Sequence, residues 1–235
     1  MSTQILFGEL FCVNEITEKW ANITIESDNY QGWIDRKLIY EITEDYYNKI
    51  AGSDKIVHQK VLSQIKNITT NKTQPLVAGS HLPFVNNKGD FTIDKYNFQC
   101  EDYSSDKENN IDIIQIAKQF ENAPYLWGGK TVLGVDCSGF TQIVFKTVGI
   151  SLPRDASQQV NIGTAIDFID ESLPGDLAFF DNDEGNIIHV GIILNNKEII
   201  HTSGCVRIDH IDHQGIYNKN TNSYSHRLRV IKRIL

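Results

Sequence analysis

The sequence predicts an α+β protein in which small all-β modules precede a region built from one cysteine-bearing helix and several strands. Three observations carry this. From Gln4 to Ile42 the chain runs in short alternating stretches separated by polar, turn-like clusters, the pattern of a small barrel. A helix-periodic apolar run follows the Gly-flanked Asp136-Cys137-Ser138-Gly139. Beyond it lie short, β-branched stretches broken by Gly, Asn and Asp, which read as strands.

The first module spans 1–45, with strands expected at 6–13, 20–25 and 30–34. Residues 44–66 place aromatic and aliphatic side chains at helical offsets around Gly52, which predicts a short helix and then a strand. Residues 76–84 and 89–93 read as a turn between strands, so 46–105 is a second β-rich module. The polar, charged stretch 104–110 reads as a linker. In 111–121, Ile113, Ile114, Ala117 and Phe120 share one face of an amphipathic helix that opens the last segment, 111–235.

In that segment Phe140, Ile143, Val144 and Val148 repeat at helical spacing, and Asp136 suits the N-cap. Cys137 then occupies the first turn, where unpaired N–H groups and the helix dipole favour a thiolate. Residues 173–180, 187–194 and 198–203 are the expected strands, and Asn195-Asn196-Lys197 suggests a tight hairpin. Antiparallel pairing brings His189 and His201 side by side. An activated thiol needs an imidazole, and that imidazole needs a polar orienter, so the pattern assigns Cys137 as nucleophile, His189 as base and His201 as orienter. The run 226–233 alternates polar and apolar residues and reads as a final strand. Asp209-His210-Ile211-Asp212-His213 lacks a zinc-type pattern and reads as a solvated loop, and no metal is expected.

The 235 residues carry a formal charge of −8, which excludes the extended basic face that nucleic acid or an anionic membrane requires. No stretch approaches a membrane span. The first nine residues lack a basic n-region and a long apolar core, so with Met1 as the native start the expected location is the cytoplasm. Cys12, Cys100, Cys137 and Cys205 are scattered without a Cys-x-x-Cys pair, and all but Cys137 read as structural thiols.

Residues 112 to the C-terminus resemble the NlpC family of papain-fold cell-wall cysteine peptidases. The resemblance rests on Tyr125-Leu126-Trp127-Gly128-Gly129, Asp136-Cys137-Ser138-Gly139-Phe140, Leu152-Pro153-Arg154-Asp155-Ala156, the Leu-Pro-Gly-Asp stretch from Leu173, Ile188-His189-Val190-Gly191-Ile192 and Ile199-Ile200-His201-Thr202-Ser203. Gly8-Glu9, Trp20-Ala21-Asn22-Ile23 and Tyr30-Gln31-Gly32-Trp33-Ile34 resemble bacterial SH3-like domains. The combination is similar to the γ-D-glutamyl-L-diamino-acid endopeptidase branch of the family. It implies a papain-like α+β core, SH3-like modules before it, and hydrolysis of L-Ala-γ-D-Glu–diamino acid stem peptides of peptidoglycan whose L-Ala amine is free, without cofactor.

Carried over residue by residue, the resemblance implies that Asp155 binds the substrate ammonium, that Asp136 and Ser138 hold the substrate backbone, and that Tyr125 and Trp127 shape the cleft. Tyr125 is also a candidate for the oxyanion. Arg154 is expected to meet the D-Glu carboxylate in bidentate fashion. Glu9 and Tyr30 are the SH3-like module's candidates for a share of the amine site. Ala156 stands where the family has Ser, which removes one hydroxyl contact. The third stem residue, diaminopimelate or lysine, and the oligomeric state stay open. So do three alternatives: a secreted general wall hydrolase, an acyltransferase or amidase on the same scaffold, and a wall-binding module without catalysis.

Overall fold

The computed structural model describes residues 1–53, 56–101, 103 and 112–234. The chain divides into two compact units, one of Ile5–Asn110, the other of Met1–Gln4 with Ile111–Leu235. The expected linker at 104–110 lies outside the described residues.

The Ile5–Asn110 unit begins with an antiparallel meander of β1 (Phe11–Ile16), β2 (Trp20–Ile25) and β3 (Gln31–Asp35). Strict alternation along β2 buries Ala21, Ile23 and Ile25, on which Phe11, Tyr30 and Ile34 pack. The first strand starts later than expected because 6–9 form a turn. There the Glu9 N–H donates to the Leu6 carbonyl at 3.2 Å, and the Leu6 N–H donates to the Glu9 carboxylate at 2.8 Å. Helix α1 (Glu44–Ala51) starts at Thr43, whose hydroxyl accepts from Tyr46 N–H, and stops at Gly52. Then come β4 (Leu62–Asn67), β5 (Lys72–Val77), β6 (Asp90–Ile93) and β7 (Tyr96–Cys100), in the sheet order β5-β4-β7-β6. Ile65, Leu76, Leu82, Phe91, Phe98 and Cys100 form their core.

The other unit opens with α2 (Ile113–Gln119), capped by the Asp112 carboxylate, and a short hairpin of β8 (Lys130–Thr131) and β9 (Gly134–Val135). Helix α3 (Cys137–Thr147) follows, then α4 (Ala156–Gln159) and β10 (Thr164–Ile166). The remaining strands are β11 (Leu177–Asp181), β12 (Ile187–Asn195), β13 (Glu198–Ser203), β14 (Cys205–Asp212), β15 (Gly215–Asn218) and β16 (Ser223–Arg233). They pair antiparallel in the order β10-β16-β11-β12-β13-β14-β15, and β15 pairs back onto β16, so six strands close into a ring. Ala178, Phe180, Ile193, Ile199, Ile211, Ile216 and Ile231 cluster on one face of it. β12 and β13 form the expected hairpin. Among the described residues no helix is long and apolar enough to cross a membrane.

Helix α3 packs against β12, β13 and α2, with Phe120 edge-on to Phe140 at 5.6 Å. The periodic residues Phe140, Ile143 and Val144 are fully buried, as their spacing requires, but so is almost every other side chain of the helix. Its polar residues are therefore bonded internally. Thr141 donates to Gln159 Oε1 at 2.7 Å, Gln142 donates to the Leu152 carbonyl at 2.9 Å, and Gln159 donates to the carbonyls of Ser138 and Pro153. The first turn also lies directly against the Tyr125–Gly129 segment, and a Cβ at Gly139 would overlap the Gly129 carbonyl oxygen. Gly139→Ala is expected to lower unfolding stability by about 1–3 kcal/mol through this backbone clash. Urea denaturation checks it, and an unchanged midpoint would refute the close-approach reading.

Candidate active site

Cys137 is the first residue of α3 and half-buried. Asp136 caps the helix, with Oδ1 accepting the Gly139 N–H at 2.7 Å. Its Oδ2 accepts the Gly128 N–H at 2.7 Å, which ties the Gly-rich segment to the helix start. The Arg154 guanidinium lies across the same carboxylate at 3.0 and 2.5 Å, and also donates to Ser138 Oγ at 2.9 Å and Thr3 Oγ1 at 3.1 Å. Arg154 is 2% exposed.

This changes the expected role of Arg154. Four of its five N–H donors face protein oxygens, so it pins the helix start and does not clamp a substrate carboxylate. The side chains of Asp136 and Ser138 are likewise committed to this network, and their main chain is bonded within the protein too: the Asp136 N–H donates to the Gly129 carbonyl, the Asp136 carbonyl accepts from the Phe140 N–H, and the Ser138 carbonyl accepts from Thr141 and Gln159. Thr3 belongs to the four N-terminal residues that join this unit, and Gln4 Oε1 accepts the Lys130 N–H at 2.7 Å.

The backbone N–H groups of Val190 and Ser138 act on the Cys137 sulfur and favour its charged form. Val190 places Cys137 beside the strand that carries His189. His189 Nε2 meets His201 Nδ1 at 2.9 Å. The two histidines are diagonal neighbours, because His201 lies opposite Gly191 in the register. A Cβ at Gly191 would lie 2.8 Å from the His201 Cβ, so glycine makes room for the second ring.

Strand alternation puts both rings on the face that carries Phe180 and Ile193, and His189 lies 5.7 Å from the Phe180 ring. Burial in this apolar setting holds His189 well below its ordinary pKa, and the nearby His226 and His201 add to the shift. Burial likewise pushes the Cys137 thiol up to about 11, with the Asp136 carboxylate adding to it, against the Val190 and Ser138 N–H groups and Arg154. Desolvation thus outweighs the helix start expected to favour a thiolate, and burial favours the uncharged form of both Cys137 and His189.

Tyr125 is 38% exposed, and burial, followed by Cys137 and Asp136, raises its phenol pKa. Its N–H donates to the Gly204 carbonyl at 2.9 Å. Trp127 is 72% exposed and free to meet a ligand. Asp155 is exposed at the N-cap of α4 but makes no capping bond. Glu9 and Tyr30 belong to the other unit, where Glu9 accepts from Leu6 N–H and Tyr30 packs on β2. Of the remaining cysteines, Cys100 is buried, Cys205 half-buried and Cys12 exposed.

Three residues escaped the sequence reading. The stretch 209–213, expected as a solvated loop, continues β14 through Asp212, and Asp209 is buried against His201, Oδ2 to Nε2 at 3.0 Å. Arg207 holds the same carboxylate at 2.6 and 2.8 Å. His226 of β16 stacks on His189 with ring centres 4.1 Å apart and planes 25° apart. Burial, followed by His201, lowers its pKa to about 4, with Asp209 opposing. The Arg-x-Asp alternation on a strand was the available signal for the first two, whereas His226 depends on ring closure. Nitrogens of His189, His201 and His226 lie within 4.8 Å of one another, close enough to take a metal ion, but such an ion would displace the His189–His201 hydrogen bond.

A cysteine at the start of a helix packed against an antiparallel sheet that carries two paired, buried histidines is the arrangement of a papain-like cysteine peptidase. Residues 122–226 match the NlpC/P60 family, and residues 1–39 match the bacterial dipeptidyl-peptidase SH3 domain. A gamma-D-glutamyl-L-lysine dipeptidyl-peptidase of Bacillus subtilis (strain 168) is 30% identical over 219 residues, 86% of this chain and 72% of the relative. A probable endopeptidase NlpC of Escherichia coli (strain K12) is 47% identical over 88 residues, 37% of this chain and 56% of the relative. The crystal structure of an NlpC/P60 family protein from Bacillus cereus ATCC 10987 shares the fold, with TM-score 0.78 and 24% identity over 100% of this chain and 82% of that one. The chain belongs to the NlpC/P60 family and is a cysteine peptidase with an N-terminal SH3-like module.

The raised thiol pKa makes a prediction. Because burial pushes the thiol up to about 11, alkylation of Cys137 by iodoacetamide is expected to accelerate steadily from pH 7 to beyond pH 9. Peptide mapping after brief labelling measures it, and a rate already level below pH 8 would show a preformed thiolate instead.

Proposed function

We propose that this peptidase hydrolyses the γ-D-glutamyl–diamino acid bond of peptidoglycan stem peptides that carry a free N-terminal L-Ala. The observation that carries the substrate reading is Asp155. Its carboxylate is exposed and makes no capping bond, directly after the Arg154 that anchors the cysteine helix. An enzyme that measures two residues from an amino terminus needs an anion for the ammonium, and Asp155 supplies one. The dipeptidyl-peptidase relative points the same way.

The reaction follows from the relay. The Cys137 thiol gives its proton to His189 as the sulfur attacks the γ-carbonyl carbon of D-Glu. In this reading backbone N–H at the start of α3, with the Tyr125 hydroxyl, would hold the developing oxyanion. His189 returns the proton to the departing amine of the diamino acid, then takes one from the water that attacks the thioester carbonyl and passes it to the Cys137 sulfur as the C–S bond breaks, which regenerates the thiol. A low imidazole pKa keeps His189 in its base form before attack and makes the imidazolium a strong acid for the leaving amine.

The test compares L-Ala-γ-D-Glu-diaminopimelate and its lysine counterpart with their N-acetyl forms, using Cys137→Ala as the inactive control. A hydrogen-bonded ion contact is worth about 1.5–3 kcal/mol, so acetylation is expected to lower kcat/KM about 10- to 100-fold. Asp155→Asn is expected to lower the rate on the free amine by a similar factor and to leave the acetylated peptide unchanged. Equal rates on both forms with the wild-type enzyme would refute the amine requirement and favour a general wall hydrolase.

A further inference from the structure

The two histidines do not by themselves decide which ring nitrogen serves Cys137. Each imidazole has two tautomers, and a hydrogen bond between Nε2 and Nδ1 permits a proton on either side. The residues behind His201 remove the ambiguity. His201 is fully buried, and its Nε2 lies 3.0 Å from Asp209 Oδ2. An ionised carboxylate only accepts hydrogen bonds, so Nε2 of His201 must carry a proton. In the neutral ring Nδ1 is then an acceptor. His189 Nε2, at 2.9 Å, must therefore be the donor. With Nε2 protonated, neutral His189 keeps its lone pair on Nδ1, the nitrogen not engaged with His201.

Asp209 is itself kept ionised. Burial opposes its charge, but hydrogen bonds from His201 and Arg207 outweigh burial and leave its carboxyl below the ordinary range. The register explains why these partners meet. Arg207 lies opposite His201, and Asp209 opposite Ile199, so alternate residues of β14 flank the ring from the neighbouring strand.

We propose that Asp209, held by Arg207, is a positioning residue that sets the tautomers of both histidines in series and so assigns Nδ1 of His189 as the base for Cys137. The inference rests on the cysteine-peptidase chemistry and is independent of which wall peptide is cut.

Asp209→Asn tests it, because an amide can turn its NH2 toward Nε2 and accommodate the opposite tautomer. That reversal would protonate Nδ1 of His201, then Nδ1 of His189, and block proton transfer from the thiol. Loss of the correct tautomer in an analogous relay lowers kcat by roughly 10⁴. Here, one residue further from the nucleophile, kcat is expected to fall about 100-fold or more with KM nearly unchanged, and Asp209→Glu is expected to recover part of it. The direct readout is ¹⁵N-histidine NMR of the substrate-free wild-type enzyme, which needs no variant to fold. It should show protons on Nε2 of both His201 and His189. A proton on Nδ1 of either ring in the wild type, or wild-type kcat in a folded Asp209→Asn, would overturn the assignment.

Discussion

The catalytic unit is organised around one buried carboxylate. Asp136 caps α3 through Gly139, fixes the Gly-rich segment through Gly128, and receives two donors from Arg154. Arg154 in turn reaches Ser138 and Thr3. Removing one member of a buried ion pair typically costs about 3–5 kcal/mol, because its partner is left charged and desolvated. Here the damage would extend past stability, since the residue after Asp136 is the proposed nucleophile and the residue after Arg154 is the acid proposed to read the substrate amine. One ion pair fixes the spacing of both.

Around this anchor the chemistry depends on keeping charge out until it is needed. Cys137 and His189 sit where burial favours the uncharged form of each. An approaching carbonyl would shift the balance, because the oxyanion and the imidazolium form together and stabilise one another. The stacked His226, its own pKa lowered by burial, covers the face of His189 and adds to the effect that keeps His189 uncharged.

Much of this was legible in the sequence, for physical reasons. The cysteine helix announced itself through an N-cap acid and a 3.6-residue apolar period, and the histidine hairpin through β-branched runs around an Asn-Asn-Lys turn. Two kinds of feature did not show. Arg154 reads as a surface cation able to bind a carboxylate, because sequence does not reveal that Asp136, 18 residues earlier, occupies its donors. Asp209 reaches His201 through the tight β13–β14 hairpin, which the sequence reading did not extend past Ser203, and His226 reaches His189 only through long-range pairing, β16 across β11. The polar lettering of 209–213 resembled a loop, although Asp209 and Ile211, two residues apart, are both buried.

Closure of the sheet onto itself gives the site a kind of mechanical memory. In an open sheet a terminal hairpin can fray or slide, and the middle strands barely notice. Here β16 is bonded to β11 on one side and to β15 on the other, so no strand of the ring can shift register alone. A slip would have to be shared by all six. The distances among the three imidazoles are therefore a property of the whole circumference, carried as much by β15, which holds no catalytic residue, as by the strands that do.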